Sequence, residues 1–215
     1  MLQKGLCTIQ DESGYLVTQL IQPEEGESIL DACAAPGGKY TALLEKNAGS
    51  KIMALESQQG RILKIRENCR RLGFSDAMVV IGDAQSAPVQ NKTFDQILVD
   101  APCSGLGTIQ KNPDIKWRRT LEEIFQFQTL QLKILKDADR ILKPGGYLIY
   151  STCTVDPSEN EAVIEDFLSK NLNTYRIVPP PESFQTFSVD NKYMRTFPHI
   201  HDMEGSFAVK LQKEL

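Results

Sequence analysis

The chain has 215 residues, which is long enough for one α/β domain with a well-buried core. Its hydrophobic content of 41%, charged content of 24% and net charge of -4 argue against a generally basic nucleic-acid binder, but not against a local basic groove. No apolar run approaches the roughly 20 residues that cross a bilayer, and the N-terminus has no signal peptide, so we expect a cytoplasmic protein.

Strands and helices are predicted to alternate along the chain. Residues 1–25 are expected to hold a short strand or extended segment at 5–10, followed by a helix that begins at 11–13. Short apolar runs predict strands at 28–30, 51–55, 78–81, 94–99, 147–150, 176–178 and 206–211. Amphipathic stretches predict helices at 40–46, 61–72, 121–142 and 159–168. This alternation predicts a mostly parallel, doubly wound sheet in a single domain, residues 1–215.

The turn after the first strand is built from small residues. It reads Asp-Ala-Cys-Ala-Ala-Pro-Gly-Gly-Lys over residues 31–39. Small residues let a ligand approach the backbone, and the following helix presents free N–H groups at its start. The spacing is not that of a pyrophosphate-binding G-x-G-x-x-G loop, so the turn suits a less anionic ligand, such as the amino-acid end of S-adenosylmethionine. A plain tight turn is the alternative.

Single acids follow the second and third predicted strands. Glu56 stands where an acid can grip ribose hydroxyls, and Asp83 stands where an acid can accept a hydrogen bond from an adenine amino group. Each acid alone would be read as a helix cap or a solvated loop charge. Together on one rim of a parallel sheet they favour a nucleoside-bearing cofactor. Arg61 either assists there or is a surface charge.

Two cysteines follow the fourth and fifth predicted strands. Cys103 lies in the run Asp-Ala-Pro-Cys-Ser-Gly, residues 100–105, and Cys153 lies in Ser-Thr-Cys-Thr, residues 151–154. Neighbouring parallel strands are about 5 Å apart, so both sulfurs can flank one pocket. Considered alone, the stiff Pro-Cys turn suggests Cys103 as a catalytic nucleophile, and a buried inert thiol is the alternative. Lys39 can lower a thiol pKa by proximity.

The remaining cysteines and the histidines indicate no further chemistry. Cys33 and Cys69 are expected to be inert or to contribute only backbone atoms. The chain has five cysteines, no C-x-x-C pair and only two histidines, His199 and His201, so we expect neither a disulfide framework nor a metal site.

These motifs together resemble the Sun (Fmu) family of RNA 5-methylcytosine methyltransferases. The residues that carry the resemblance are 31–39, 100–105 and 151–154, supported by 112–114 with Trp117, by 157–161 and by the late segment 197–207. Glu204-Gly205-Ser206-Phe207 replaces the commoner Asp-Gly-Phe-Phe. The resemblance covers the chain from about Gly5 to its end. It implies a class I S-adenosylmethionine-dependent methyltransferase fold, which is Rossmann-like with a seven-stranded sheet whose last strand is antiparallel.

The resemblance also implies a role for each matching residue. Glu56 would hold the ribose, Asp83 the adenine region with help from Arg61, and Asp100 would sit between the cofactor and the target base. The methionine end would be wrapped by Cys33, Ala34, Ala35, Pro36, Gly37, Gly38 and Lys39. Cys153 would be the nucleophile and Cys103 the thiol that releases product, while Lys39 orients Asp100 or activates a thiol.

The two thiols have a chemical rationale in such an enzyme. Carbon 5 of cytosine is a poor nucleophile, and a thiolate that adds to carbon 6 makes carbon 5 able to attack a methyl donor. Asp100, protonated or sharing a proton with ring N3, can stabilise the adduct. A second thiol can then serve as, or position, the base that removes the carbon 5 proton.

We expect RNA, most simply ribosomal RNA, as the substrate. The alternatives are a DNA cytosine methyltransferase with Cys103 as nucleophile, and a catalytically silent, cofactor- and RNA-binding assembly factor. Family members carry an N-terminal RNA-binding extension, so we expect either a fragment of a longer protein or a partner that supplies RNA contacts. Trp117 is read equally as an RNA contact or as a core residue in a solvated helix start, and its basic neighbours are Lys111, Lys116, Arg118 and Arg119.

Overall fold

A computed structural model describes every residue, Met1–Leu215. The helices are α1 (Glu12–Thr18), α2 (Gly38–Glu45), α3 (Gln59–Arg71), α4 (Ile115–Arg118), α5 (Leu121–Ile141), α6 (Glu161–Lys170) and α7 (Pro198–His201). The strands are β1 (Ser28–Asp31), β2 (Lys51–Glu56), β3 (Met78–Ile81), β4 (Phe94–Asp100), β5 (Leu142–Thr152), β6 (Tyr175–Val178), β7 (Ser188–Val189), β8 (Tyr193–Thr196) and β9 (Ser206–Lys213). Short 3-10 turns cover Leu2–Lys4, Leu106–Thr108, Pro157–Glu159 and Glu182–Phe187.

Local signals explain where the two long helices begin and end. The Thr120 hydroxyl accepts a hydrogen bond from the Glu123 N–H at 3.2 Å, and the Glu123 carboxylate accepts one from the Thr120 N–H at 2.9 Å. This capping box begins α5. Helix α3 ends before Gly73, whose φ of 86° lies in the left-handed region that glycine adopts without strain.

The strands form one sheet with parallel and antiparallel parts. Its order is β3-β2-β1-β4-β5-β9-β8-β7, and β6 pairs with the other end of β9. Strands β1 to β5 are parallel to one another, whereas β9, on the other side of β5, is antiparallel to it. The seven strands predicted from apolar runs are therefore present, and the last one has the expected antiparallel direction. All the parallel strands end on the same edge of the sheet, which is where ligands bind in open α/β folds.

Both faces of the sheet are covered. Along β4, Ile97 and Val99 face a core that includes residues of α5 and α6, while Leu98 faces a core that includes residues of α1, α2 and α3. Successive strand residues alternate between faces, so near-continuous apolar runs are what a doubly covered sheet requires. No helix combines the length and the apolar character that a bilayer-spanning segment needs.

Of the two alternatives predicted for residues 5–10, the structure shows the extended segment and not the strand. The guanidinium of Arg71 donates hydrogen bonds to the backbone oxygens of Leu2 and Cys7, at 2.9 and 2.8 Å. A side chain at the end of α3, instead of a neighbouring strand, thus satisfies the backbone of this segment.

The hairpin β7–β8 was not predicted. Its turn passes through Asp190 and Asn191, which both have a φ of 53°. The Lys192 N–H donates to the Val189 backbone oxygen at 3.0 Å across this turn, and Val189 pairs with Tyr193, so three residues connect the two strands. The surrounding sequence is polar, and these strands are two and four residues long, too short for an alternating pattern to reveal.

Candidate active site

A cleft of about 250 Å³ opens at the carboxyl ends of β1, β2 and β3. Its volume is close to the lower end of the range for small-molecule sites, ~300 Å³. Apolar groups from Pro102, Leu130 and Ile134 form one wall. The predicted cofactor residues that line the cleft are Cys33, Glu56, Arg61 and Asp83.

Glu56 is held rigidly at the end of β2. It is 4% exposed, and its Oε1 accepts a hydrogen bond from the Gln58 N–H at 2.9 Å. Arg61 lies 3.5 Å from Glu56 Oε2 and also donates to the Ala35 backbone oxygen at 2.8 Å. Arg61, whose side chain is 45% exposed, therefore links the β1–α2 turn to Glu56, and its role toward a cofactor stays a prediction.

Asp83 is exposed at the end of β3. Its Oδ1 accepts a hydrogen bond from the Gln85 N–H at 2.9 Å, which stabilises the turn that follows. The loop-capping alternative is thus realised, while Oδ2 bonds only the Gln85 side chain, at 3.1 Å. A flexible glutamine amide is easily displaced, so this acid is available to a ligand in the cleft.

The small-residue turn reaches the lining of the cleft through Ala32 and Cys33, whereas residues 34–39 lie outside that lining. Gly37 has a φ of 106°, a conformation that disfavours every other residue. The side chains of Ala34 and Ala35 are buried in the core, and the Pro36 carbonyl accepts a hydrogen bond from Asn68 of α3. Ala34 and Ala35 can therefore meet a ligand only through backbone atoms, whereas Pro36 is exposed. Burial and the nearby Asp100 carboxylate raise the pKa of Asp31, beneath this turn, to about 7.

Lys39 and Asp100 form an ion pair beside the cleft. Lys39 Nζ lies 2.7 Å from Asp100 Oδ2, and the Ser151 hydroxyl donates to Asp100 Oδ1 at 2.7 Å. The β4–β5 register pairs Asp100 with Ser151, which explains this second contact. Although burial favours the neutral amine, the Asp100 carboxylate raises the pKa of Lys39 above its ordinary value. Lys39 thus stays positively charged next to the two thiols.

The two predicted rim thiols are in direct contact. Cys103 Sγ lies 3.3 Å from Cys153 Sγ, and both cysteines are free and partly accessible. The contact forms because their turns follow β4 and β5, which are neighbours in the sheet. A hydrogen bond from Cys103 lowers the pKa of Cys153, and this effect outweighs its burial and the Asp100 carboxylate, which both raise the pKa; the charge of Lys39 adds to the lowering. The same bond, together with burial, raises the pKa of Cys103. Of the two contacting thiols, Cys153 is therefore the more readily ionised and Cys103 the one that keeps its proton to higher pH.

The other buried cysteines are unsuited to nucleophilic chemistry. Burial and the charge of Asp31 raise the pKa of Cys33 far above its ordinary value. Burial raises the pKa of Cys69 to about 11. Both are therefore neutral thiols near pH 7, in line with the expectation that they are inert.

This difference between the two contacting thiols predicts their reactivity toward iodoacetamide, which alkylates thiolates. Because thiolate is the reactive form, the rate at Cys153 should rise at lower pH than for an ordinary thiol. Cys103→Ala removes the donor and should move the Cys153 rate profile to higher pH. Peptide mass spectrometry measures both rates, with exposed Cys7 as an internal reference. Faster alkylation of Cys103 than of Cys153 near pH 7 would contradict the assignment.

The Cys103 turn is held by hydrogen bonds to buried residues for which the sequence analysis predicted no role. Glu159, fully buried, accepts hydrogen bonds from the Ser104 N–H at 2.8 Å and from the Gln131 side chain at 3.1 Å. Gln131 also donates to the Pro102 backbone oxygen at 2.9 Å. The Ser104 and Thr154 hydroxyls bond at 2.9 Å and join the two turns. Glu159 lies in the motif at 157–161, which was the available signal.

The Cys153 turn is held by two glycines. The Gly107 N–H donates to the Cys153 backbone oxygen at 3.0 Å, and the Gly205 N–H donates to the Gly107 backbone oxygen at 2.9 Å. The sequence shows that a glycine lies in the loop after β4, but it does not show that Gly107 contacts Cys153 and Gly205.

The predicted site residues thus fall into two adjoining groups. Cys33, Glu56, Arg61 and Asp83 line the cleft, whereas the predicted residues that follow Cys33 lie outside its lining: Ala34, Ala35, Pro36, Gly37 and Gly38. Lys39, Asp100, Cys103 and Cys153 form a second group, which we call the reactive centre. The two histidines take no part: His201 Nδ1 accepts a hydrogen bond from the Phe197 N–H within its own turn.

Known proteins are similar to this chain in sequence and in fold. A sequence model of the family described as 16S rRNA methyltransferase RsmB/F matches residues 18–212. The chain is 36% identical to ribosomal RNA small subunit methyltransferase B of Vibrio vulnificus, over 99% of this chain and 48% of the relative. It is 39% identical to the protein of that name from Klebsiella pneumoniae, over 98% of this chain and 47% of the relative. The chain therefore spans about half the length of these relatives.

Solved structures agree with the sequence comparison. The crystal structure of NSun6 from Pyrococcus horikoshii with SFG has a TM-score of 0.87 at 31% identity, covering 98% of this chain and 54% of that one. A methyltransferase homologue from the same organism has a TM-score of 0.79 at 30% identity, covering 99% and 70%. The expected class I methyltransferase fold and the resemblance to the Sun family are confirmed. By sequence and by fold, the chain belongs to the RsmB/F family of 16S rRNA methyltransferases.

Proposed function

We propose that the chain is the catalytic domain, residues 1–215, of an enzyme that methylates carbon 5 of a cytosine in ribosomal RNA, with S-adenosylmethionine as methyl donor. The observation that carries the proposal is the contact between Cys103 and Cys153, 3.3 Å apart and beside the Lys39–Asp100 pair. Two unequal thiols next to a nucleoside-sized cleft suit an addition and elimination at a pyrimidine ring. A ribosomal RNA substrate would place the enzyme in the cytoplasm.

The cleft residues fit S-adenosylmethionine. The apolar wall of Leu130 and Ile134 suits an adenine ring, and Asp83 and Glu56 can accept hydrogen bonds from an amino group and from ribose hydroxyls. The backbone of the turn that starts at Cys33 would hold the methionine end, next to Lys39 and Asp100. When bound, the cofactor supplies an electrophilic methyl group.

The reactive centre provides the thiolate for the first step. The Cys153 thiolate adds to carbon 6 of the cytosine, which forms an S–C bond and makes carbon 5 nucleophilic. Asp100, which Lys39 and Ser151 hold in place, would share a proton with ring N3, where negative charge develops as the thiolate adds, and would take that proton back when the thiolate leaves.

The second thiol completes the cycle. Once Cys153 is a thioether, Cys103 loses its hydrogen-bond acceptor and gives its proton to water. The Cys103 thiolate then removes the carbon 5 proton, the double bond between carbons 5 and 6 re-forms, and the bond between carbon 6 and sulfur breaks. Cys153 leaves as a thiolate and again accepts a hydrogen bond from Cys103. The one proton lost to water balances the replacement of hydrogen by methyl.

Of the alternatives, a DNA enzyme with Cys103 as nucleophile is disfavoured by the raised pKa of Cys103. A catalytically silent assembly factor would not require a lowered pKa at Cys153, to which Lys39 contributes.

Transfer of labelled methyl groups to unmodified small-subunit RNA tests the proposal, with nucleoside mass spectrometry to identify 5-methylcytidine. Glu56→Gln should weaken cofactor binding by roughly 10- to 150-fold, because a hydrogen bond to a charged acceptor contributes ~1.5–3 kcal/mol. Isothermal calorimetry measures that affinity, with Glu45→Gln as the control on α2. A wild-type chain that binds no S-adenosylmethionine would refute the proposal.

A further inference from the structure

An exposed aromatic residue lies on α4, the short helix that follows the Cys103 turn. Trp117, the only tryptophan in the chain, is 81% exposed on the short helix α4. The reading of Trp117 as a core residue is therefore wrong. Its large apolar surface is left in water, which is uncommon for tryptophan and marks a binding surface when charged groups surround it.

Helix α4 is fastened directly to the Cys103 turn. Arg119, the residue that ends α4, donates from Nε to the Ser104 backbone oxygen at 2.8 Å. Ile115 packs against Gly105: a Cβ there would lie 3.4 Å from Ile115 Cδ1. Trp117 is thus carried by the same segment that positions Cys103.

The charges around Trp117 favour an anionic partner. Lys116 Nζ lies 5.1 Å from the centre of the Trp117 ring and forms no ion pair. Arg118 is 77% exposed and its only carboxylate partner is Asp114, in an exposed pair that contributes little. A free cation over an exposed aromatic ring suits the phosphate and base of a nucleotide.

We propose that Trp117 and Lys116 form a stacking platform for a nucleotide that neighbours the target cytosine in a single-stranded RNA segment. The proposal rests on the proposed function. A cytosine that reaches Cys153 must leave its base stack, so its neighbour loses a stacking partner. The Trp117 ring replaces that partner, and Lys116 neutralises the adjoining phosphate.

Intrinsic fluorescence of Trp117 tests the platform directly, because no other tryptophan contributes. A cytosine-containing single-stranded 12-nucleotide RNA, titrated at low salt, should quench the emission with saturation. The same sequence as a blunt duplex should quench it much less. An emission that RNA leaves unchanged at any concentration, or that the duplex quenches equally, would overturn the proposal. So would an emission that changes with protein concentration instead of RNA, because that result would indicate a protein partner.

Variants link the platform to catalysis. Trp117→Ala should raise the KM for RNA by roughly 5- to 150-fold, the effect of losing one base stack, while Trp117→Phe should retain most of the affinity. The cofactor affinity of both variants should equal that of the wild type. Leu63→Ala, at an exposed apolar residue on α3, is the matched control. Wild-type methyl transfer with an unchanged KM in Trp117→Ala would refute the platform and leave the proposed function intact.

Discussion

Cys153→Ala is expected to abolish methyl transfer and the covalent RNA adduct, whereas Cys103→Ala is expected to accumulate the adduct. The lowered pKa of Cys153 and the charge of Lys39 make Cys153 the thiol that is ready to attack. Without its sulfur no bond to carbon 6 can form, so the rate should fall by at least about 10³-fold, as for loss of other catalytic nucleophiles.

The opposite behaviour of Cys103→Ala follows from its later role. Addition by Cys153 needs no second thiol, but removal of the carbon 5 proton does, so the enzyme stops as a methylated adduct. The substitution also removes the hydrogen bond that stabilises the Cys153 thiolate. The adduct should therefore form faster as the pH rises, because more Cys153 is ionised.

Denaturing gels with labelled RNA measure the adduct, and labelled cofactor measures the transfer. Cys7→Ala, at an exposed cysteine outside the reactive centre, should behave as the wild type. An adduct that persists in Cys153→Ala and vanishes in Cys103→Ala would exchange the two roles. That result would revive Cys103 as the nucleophile, the first interpretation that the Pro-Cys turn suggests.

The reactive centre was predictable because it follows from strand order. Asp100, Cys103 and Cys153 each follow a strand in a sheet whose parallel strands end on one edge, so short apolar runs were enough to bring them together. The cleft acids Glu56 and Asp83 follow by the same logic from β2 and β3. These predictions need only the order of the elements and no side-chain geometry.

The supports of the reactive centre were not predictable in that way. Glu159 reaches Ser104 across 55 positions of the chain, and Gln131 reaches Pro102 across 29. Such contacts depend on how α5 and the turn before α6 pack on the sheet, which no local pattern encodes. The two alternatives for Trp117 could not be separated from the sequence for a related reason: an apolar residue type does not reveal whether the fold covers it.

Gly107→Ala is expected to disable the enzyme from a position that carries no reactive group. A Cβ at Gly107 would lie 1.9 Å from the Gly205 backbone oxygen and 2.8 Å from the Cys153 backbone oxygen. Backbone atoms cannot rotate away as a side chain would, so the loop must move. The hydrogen bond from the Gly107 N–H to Cys153 would be lost, and Cys153 Sγ would shift relative to the bound base.

A displacement of about 1 Å at a reacting atom costs on the order of 10²-fold in rate, so we expect a loss of that size in methyl transfer and in adduct formation. Overpacking should also lower the stability by ~1–3 kcal/mol, which corresponds to a Tm lower by roughly 2–12 °C for a domain of this size. Cofactor affinity should stay near the wild-type value, because Gly107 lies outside the residues that line the cleft. Gly60→Ala is the matched control: a Cβ there meets nothing within 4 Å, and its place in α3 favours alanine. Full activity and an unchanged Tm in Gly107→Ala would show that the loop yields without moving Cys153, and that the close packing of Gly107 against Gly205 does not position the nucleophile.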